Sequence, residues 1–401
     1  MHVYEPPTLK TDLLGGVCPS DAEISAMQDG DYVLRARDGK LTQVRAEKSA
    51  LKPDSESHPQ GVSIALAEDG TVYVVQKNTV SVSADGGRTW RAHGLGAGPS
   101  GESVGHKFQV LSDGSVVTAA SHDDEPNVAK IYTSADEGRT WRHLSRIEVP
   151  ADLHTSGRRS YLNVGALGLV YRGAGDTLVC MITAHTNDHT EDWSLISGEA
   201  TLLSYLSADG GKTWEGPSHV LTWATPEAGV ARVPSGKLLL AVRYQRPTLP
   251  TDPPDLLERT GAARTSAAYP YKHVFLVDSQ DEGRTWGNAR QLTTVFGQCY
   301  GYPAALSDGT VAVVHDTRYG PGPSVARAMI SHDEGAAWED EVYYVFAGKA
   351  ASGYSQSVVF DDDTLLTVGG FSDYTEGNPL KHTNWVGRSQ LIAIRWKPVS
   401  A

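Results

Sequence analysis

The chain has 401 residues, 40% hydrophobic and 21% charged, with 41 Gly and 9 Trp, the make-up of a folded protein with a large core, many tight turns and a recurring aromatic. A net charge of −13 argues against nucleic acid or an anionic membrane as the main partner, so an anionic substrate would need local arginines to overcome the background field. Residues 1–30 lack a basic start followed by an apolar run, which sets the expectation of a cytoplasmic location unless a leader was removed.

No stretch approaches the length of a membrane span. Cys18, Cys180 and Cys299 are odd in number and far apart, which reads as buried thiols rather than a disulfide framework. Neither a cofactor nor a metal is implied. His185 and His189 lie four residues apart, but on a loop that spacing does not place both on one face.

Residues 1–30 read as an extension. Residues 31–46 alternate apolar and polar side chains, the pattern of a strand exposed on one face. From there one motif appears five times: Ser83-Ala-Asp-Gly-Gly-Arg-Thr-Trp90, Ser134-Ala-Asp-Glu-Gly-Arg-Thr-Trp141, Ser207-Ala-Asp-Gly-Gly-Lys-Thr-Trp214, Ser279-Gln-Asp-Glu-Gly-Arg-Thr-Trp286 and Ser331-His-Asp-Glu-Gly-Ala-Ala-Trp338. Physically it is a turn device. The Asp carboxylate accepts backbone N–H bonds, the Gly takes a positive φ, and the Trp is expected to pack the turn onto the next strand. Asp85, Asp136, Asp209, Asp281 and Asp333 are therefore read as structural.

Successive boxes start 51, 73, 72 and 52 residues apart, so two units carry long insertions. Before each box lies an apolar strand, a turn and a second apolar strand, with turns at 67–70, 112–114, 173–176, 235–236 and 307–309. A sixth turn at 361–363 has no box but is followed by a strand over Ser389–Trp396. Radial repetition of four-stranded sheets is an all-β propeller, with six blades the best count and seven the alternative. Residues 31–401 would form this one domain, with 31–46 supplying the outer strand of the last blade.

Box turns and hairpin turns both follow odd-numbered strands, so they share one end of the ring. Reactive side chains are then expected at the opposite end. There the second blade offers His106 and Lys107 at entry and Asp123 and Asp124 at exit. The fourth offers Glu227 and Arg243, held side by side by the hairpin turning at Ser235-Gly236, and then a Pro- and Arg-rich loop over 244–272. The fifth offers Tyr300, Tyr302, His315, Asp316 and Arg318, and the sixth Tyr354 and Ser355. Glu227 with Arg243 is either a plain ion pair or part of a site.

The five boxes, Pro226-Glu227 with Arg243 sixteen residues on, and Gly353-Tyr354-Ser355-Gln356-Ser357 two blades later resemble the sialidase (neuraminidase) superfamily over roughly residues 61–397. The resemblance implies a retaining exo-glycosidase acting on a glycan or glycoconjugate that ends in sialic acid or a related acidic sugar. Tyr354 would be the nucleophile and Glu227 the base that takes its proton, because a neutral phenol is a poor nucleophile near neutral pH. Arg243 and Arg318, with Arg327 as the alternative for the latter, would grip the substrate carboxylate. Asp123 or Asp124 would be the acid/base. The family's Arg-Ile-Pro segment is absent, and only His106 or Lys107 stands in its place. Tyr300, His315 and Asp316 would line the sugar pocket. A propeller lyase or another glycosidase acting on uronic-acid glycans, and a non-catalytic glycan-binding propeller, are the competing readings.

Overall fold

A computed structural model of the chain describes residues 16–51, 62–76, 78–105, 107–122, 124–150, 163–169, 176–185, 200–259, 263, 271–293, 300–317, 325–347, 355–372 and 389–399. Long apolar runs such as Leu238–Val242 dictate sheets buried on both faces, and the chain solves this by stacking sheets around an axis. Among the described residues there are six antiparallel blades. Their inner strands are Ser63–Leu66, Gln109–Val110, Asn163–Leu169, Ala224–Arg232, Tyr302–Ala305 and Gln356–Val359. Each inner strand touches the next, and the sixth touches the first, so the ring is closed.

Strand alternation feeds two interfaces at once. In the second strand of blade four, Leu238, Leu240 and Val242 pack towards blade three, whereas Leu239 and Ala241 pack towards blade five. One apolar cluster lies between every pair of consecutive blades. Each fully buried leucine there contributes roughly 1.5–3 kcal/mol.

Each of the five boxes joins the third strand of its blade to the fourth. The box Ser hydroxyl accepts from the Gly amide at 2.7–2.9 Å. The Asp carboxylate accepts from the amide four residues further along the chain, at 2.8–2.9 Å. Two consecutive positive φ angles, 62° at Glu137 and 85° at Gly138 in the second box, make the turn. Burial would raise the Asp136 carboxyl, but hydrogen bonds from Ser134 and Thr140 hold it down to about 2. The Trp differs from expectation. In three of the five boxes its indole N–H reaches the preceding blade, from Trp90 to Ser49 (2.9 Å), Trp214 to Ser145 (3.1 Å) and Trp286 to Ser204 (2.8 Å). Those hydroxyls in turn donate to box carbonyls of Gly87, Gly211 and Gly283, so these three boxes staple blade to blade, whereas the buried indole N–H groups of Trp141 and Trp338 make no such bond.

Hairpin turns and boxes do share one end. The Ser235 amide and the Lys237 amine of blade four bond Glu334 in the box of blade five at 2.9 and 2.8 Å.

The closing strand also differs in detail from the 31–46 expectation. Two strands form there, Tyr32–Arg37 and Lys40–Leu51. The second pairs with Ser389–Trp396 as the outer strand of blade six, and the first adds a fifth strand to blade five. Asp38 and Gly39, both at positive φ, turn the chain tightly enough to place two strands where one was expected. The hairpin thereby merges two blades into one nine-stranded sheet. Its anchor is Glu341, a carboxylate with no exposed surface. It accepts from Arg35 Nε at 2.6 Å, Arg37 Nη1 at 2.9 Å and the Tyr343 hydroxyl at 2.8 Å. Tyr343 also accepts the Val399 amide at 2.8 Å, so both ends of the chain are tied to one buried acid.

Burial alone would raise the Glu341 carboxyl, but the Arg35 and Tyr343 hydrogen bonds leave it below the usual glutamate range. A depressed folded-state value means its contribution is present at neutral pH and is lost only as pH falls through that lowered value. Glu341→Ala takes the shared carboxylate from Arg35, Arg37 and the Tyr343 hydroxyl. We expect a loss of about 2–4 kcal/mol, read as a lower urea midpoint, and a smaller loss for Glu341→Gln.

Candidate active site

At the end of the ring away from the boxes, the hairpin of blade four departs from simple pairing. Thr225 faces Arg243 and Ala228 faces Val242, so Pro226 and Glu227 are bulged out of the ladder. Pro226 has no N–H to give to a ladder, and the bulge turns the Glu227 side chain out of the sheet's two packed faces. Arg243 follows along the second strand. Its Nη1 donates to Glu227 and, at 2.8 Å, to the Tyr300 hydroxyl of blade five. Its Nε donates to Gln245 at 2.9 Å, and Nη2 donates to the same oxygen. The guanidinium lies 5.0 Å from the Tyr300 ring centroid, and the Lys272 amine lies 6.0 Å from it. Arg243 and Glu227 are 14% and 24% exposed, so the pair is sheltered yet reachable.

Tyr300 sits at φ 62°, unusual for a bulky side chain and the kind of backbone strain that a surrounding structure must hold in place. Blades four and five approach closely beside it. A Cβ on Gly229 would lie 2.8 Å from the Tyr302 ring, so only glycine permits the contact.

Lys107 comes to the same centre from blade two. Gly105, at φ 82°, lets the chain before it pass within reach of the Ala119 carbonyl, where a Cβ would lie 2.5 Å away. Burial pushes the Lys107 amine down to about 8, and the Glu227 charge acts in the opposite sense, which places the two groups in electrostatic reach across the axis. Behind them, Tyr302 is hydrogen-bonded to Gln356 and its hydroxyl is raised by burial. The Gln356 Oε1 accepts the Ile64 amide at 3.1 Å, linking blades five, six and one.

Glu227, Arg243, Tyr300 and Lys107 are thus brought together. His315 is not on the rim. It is 1% exposed inside the second strand of blade five, opposite Arg327, because that strand runs on to Thr317. Asp316 lies in the same strand, opposite Ala326. Arg327, itself buried on the third strand, is hydrogen-bonded to Tyr344 of the fourth. Asp124 is 73% exposed at a turn and 3.7 Å from Lys130, the setting of a solvated carboxylate. Tyr354, Arg318, His106 and Asp123 lie outside the described residues, as does His189.

The 244–272 loop begins as strand up to Arg246. A buried bidentate pair, Arg246 to Asp252 at 2.7 Å through both nitrogens, then folds the next residues back. Leu256 enters the core between blades three and four. Gln245 and Lys272 escaped the sequence reading. The available signal was alternation, since residue 245 shares a strand face with 243.

No protein-family model matches the chain, and no curated protein matches it by sequence. Solved structures do. A protein of unknown function from Dyadobacter fermentans superposes with TM-score 0.58 at 15% identity, over 88% of this chain and 98% of that one. The α-L-arabinofuranosidase Arb93A of Fusarium graminearum gives 0.56 at 16%, over 88% and 97%. The NanB sialidase of Streptococcus pneumoniae gives 0.51 at 10%, over 94% and 72%. At such identities the likeness establishes the fold alone. It is a β-propeller of the kind that these arabinofuranosidases and sialidases share.

Glu227→Gln removes the charge that supports the Lys107 ammonium. We expect the Lys107 amine, already near 8, to titrate lower still in that variant, read by the NMR titration of its side-chain carbon.

Proposed function

We propose that the protein is an exo-acting glycoside hydrolase that releases a terminal acidic sugar, with Glu227 as its essential carboxylate. The observation that carries this reading is the charge of the cluster. Among the described residues, the cations Lys107, Arg243 and Lys272 gather around Glu227 and Tyr300, in a chain whose net charge is −13. An anionic sugar entering that field meets attraction where the rest of the surface repels it.

The Arg243 bond holds Glu227 as a hydrogen-bond acceptor, the state suited to taking a proton rather than giving one. The sialidase resemblance assigns the proton's source as the Tyr354 phenol, which then attacks the anomeric carbon while an acid protonates the departing oxygen. The glycosyl–tyrosine intermediate, an aryl glycoside, is opened by water activated by that acid's conjugate base, the phenol oxygen leaves with its proton returned, and the anomeric configuration is retained. Lys107 supplies a point charge rather than a planar fork, which suits a carboxylate held loosely and in more than one orientation.

A second reading, a neutral terminal sugar, is favoured by one observation. Arg243 already serves Glu227, Tyr300 and Gln245, so its fork is occupied by the protein itself.

The test is a panel of chromogenic glycosides covering sialic acid, its deaminated analogue, uronic acids and α-L-arabinofuranose. We expect turnover of an acidic member, lost by about 10²–10⁴-fold in Glu227→Gln and in Tyr354→Phe. KM should rise as pH passes about 8 and Lys107 loses its charge, and Lys107→Met should flatten that limb. Cleavage of arabinofuranoside with a flat KM profile decides for the neutral sugar. Glycan binding without turnover, unchanged in both variants, overturns the hydrolase.

A further inference from the structure

The guanidinium of Arg243 has one edge, Nε with Nη2, that presents two parallel N–H groups. This is the fork that binds a carboxylate most tightly. In this site the fork does not meet Glu227. Both of its donors converge on the single Oε1 of Gln245, and Glu227 is met through Nη1, which also serves the Tyr300 hydroxyl. The arrangement follows from the strand. Residues 243 and 245 share one face, while Tyr244 between them is 4% exposed in the core between blades three and four. Lys272, opposite Gln245 in the ladder, stands beside the Tyr300 ring.

We propose that Gln245 is the positioning residue of this centre: by filling the fork of Arg243 with a neutral acceptor, it keeps that arginine from clamping Glu227 side-on and so preserves Glu227 as a proton acceptor. The inference rests on the hydrolase reading above for its catalytic meaning, though not for its geometry. Without the Gln245 oxygen, the guanidinium turns its fork to the nearest anion, which is Glu227. The carboxylate then gains two parallel bonds and becomes a weaker base. Among the described residues, the charged and titratable groups that bear on Glu227 include Arg243 from its own blade, Lys107 from blade two, and Tyr300 of blade five with Lys272 beside it. None of these is replaced in Gln245→Leu, which adds no charge of its own, so a shift in that variant is traced to the fork.

Two substitutions push in opposite directions. Gln245→Leu frees the fork to engage Glu227. Gln245→Glu, nearly isosteric, holds the fork more firmly and adds a second negative charge nearby. Carbon-13 carboxyl titration of the whole protein, with the Glu227 signal assigned by Glu227→Gln, reads the effect without any substrate. We expect the Glu227 midpoint to fall by about one pH unit in Gln245→Leu and to rise by a similar amount in Gln245→Glu. On the glycoside that the wild type hydrolyses, kcat should fall about tenfold in Gln245→Leu with KM within about twofold. The acid limb of the rate profile should move the same way as each midpoint. A merely structural role would lower both activities without splitting the midpoints.

Midpoints that stay together, or move in one direction in both variants, overturn the inference. If the midpoints split while the wild type hydrolyses nothing in the panel, the positioning role stands and the hydrolase reading falls. If the enzyme is active and the Gln245 variants share its midpoint and its kcat, the hydrolase reading stands and the positioning role falls.

Discussion

Every blade of this protein is a sheet buried on both faces, and that constraint governs the rest. A sheet with two apolar faces needs a neighbour on each side, and only a closed ring satisfies all of them at once. Leu239 and Leu240, adjacent in sequence, serve opposite interfaces, so no blade is stable alone. The boxes add direction to this packing, because the indole N–H of Trp90, Trp214 and Trp286 bonds backwards into the preceding blade. Closure falls to the N-terminal hairpin, and within it to Glu341, where Arg35, Arg37 and Tyr343 converge.

The same ring creates the site. Inner strands must leave the axis with room for side chains at one end, and the box turns already occupy the other. Glu227 is there because Pro226 and Glu227 are expelled from the ladder, and Tyr300 because its backbone is held at positive φ beside the close contact of Gly229 with Tyr302. Lys107 arrives from two blades away. Burial depresses its amine, and the Glu227 charge opposes that shift from across the ring. An arginine that bonds a carboxylate, a phenol and an amide together is a distributor of hydrogen bonds.

The hairpin turns, the boxes, the Ser389–Trp396 strand and the placement of Glu227 with Arg243 follow from local patterns: periodicity two, turn residues at fixed offsets, and the shared end of an antiparallel pair. Less legible were features in which two distant segments compete for one place. The Tyr32–Arg37 strand is apolar enough for either blade, and only the exposed edge of blade five beside Glu341 decides where it goes. His315 looked like a rim residue because the sequence does not say where a strand stops. Buried among its neighbours, it belongs to the sheet.

By itself, then, the sequence determined the repeat, its turns, a count of six or seven blades and the meeting of Glu227 with Arg243 on one hairpin, because each of these is written in side chains a few residues apart. The tertiary structure alone decided how those groups share their bonds. The division of Arg243 among Glu227, Tyr300 and Gln245 depends on a bulge and on the meeting of two blades, and the Lys107 amine answers to a charge 120 positions further along the chain. Hydrogen bonds and charge interactions act through space, so their partners become known only when the ring has closed.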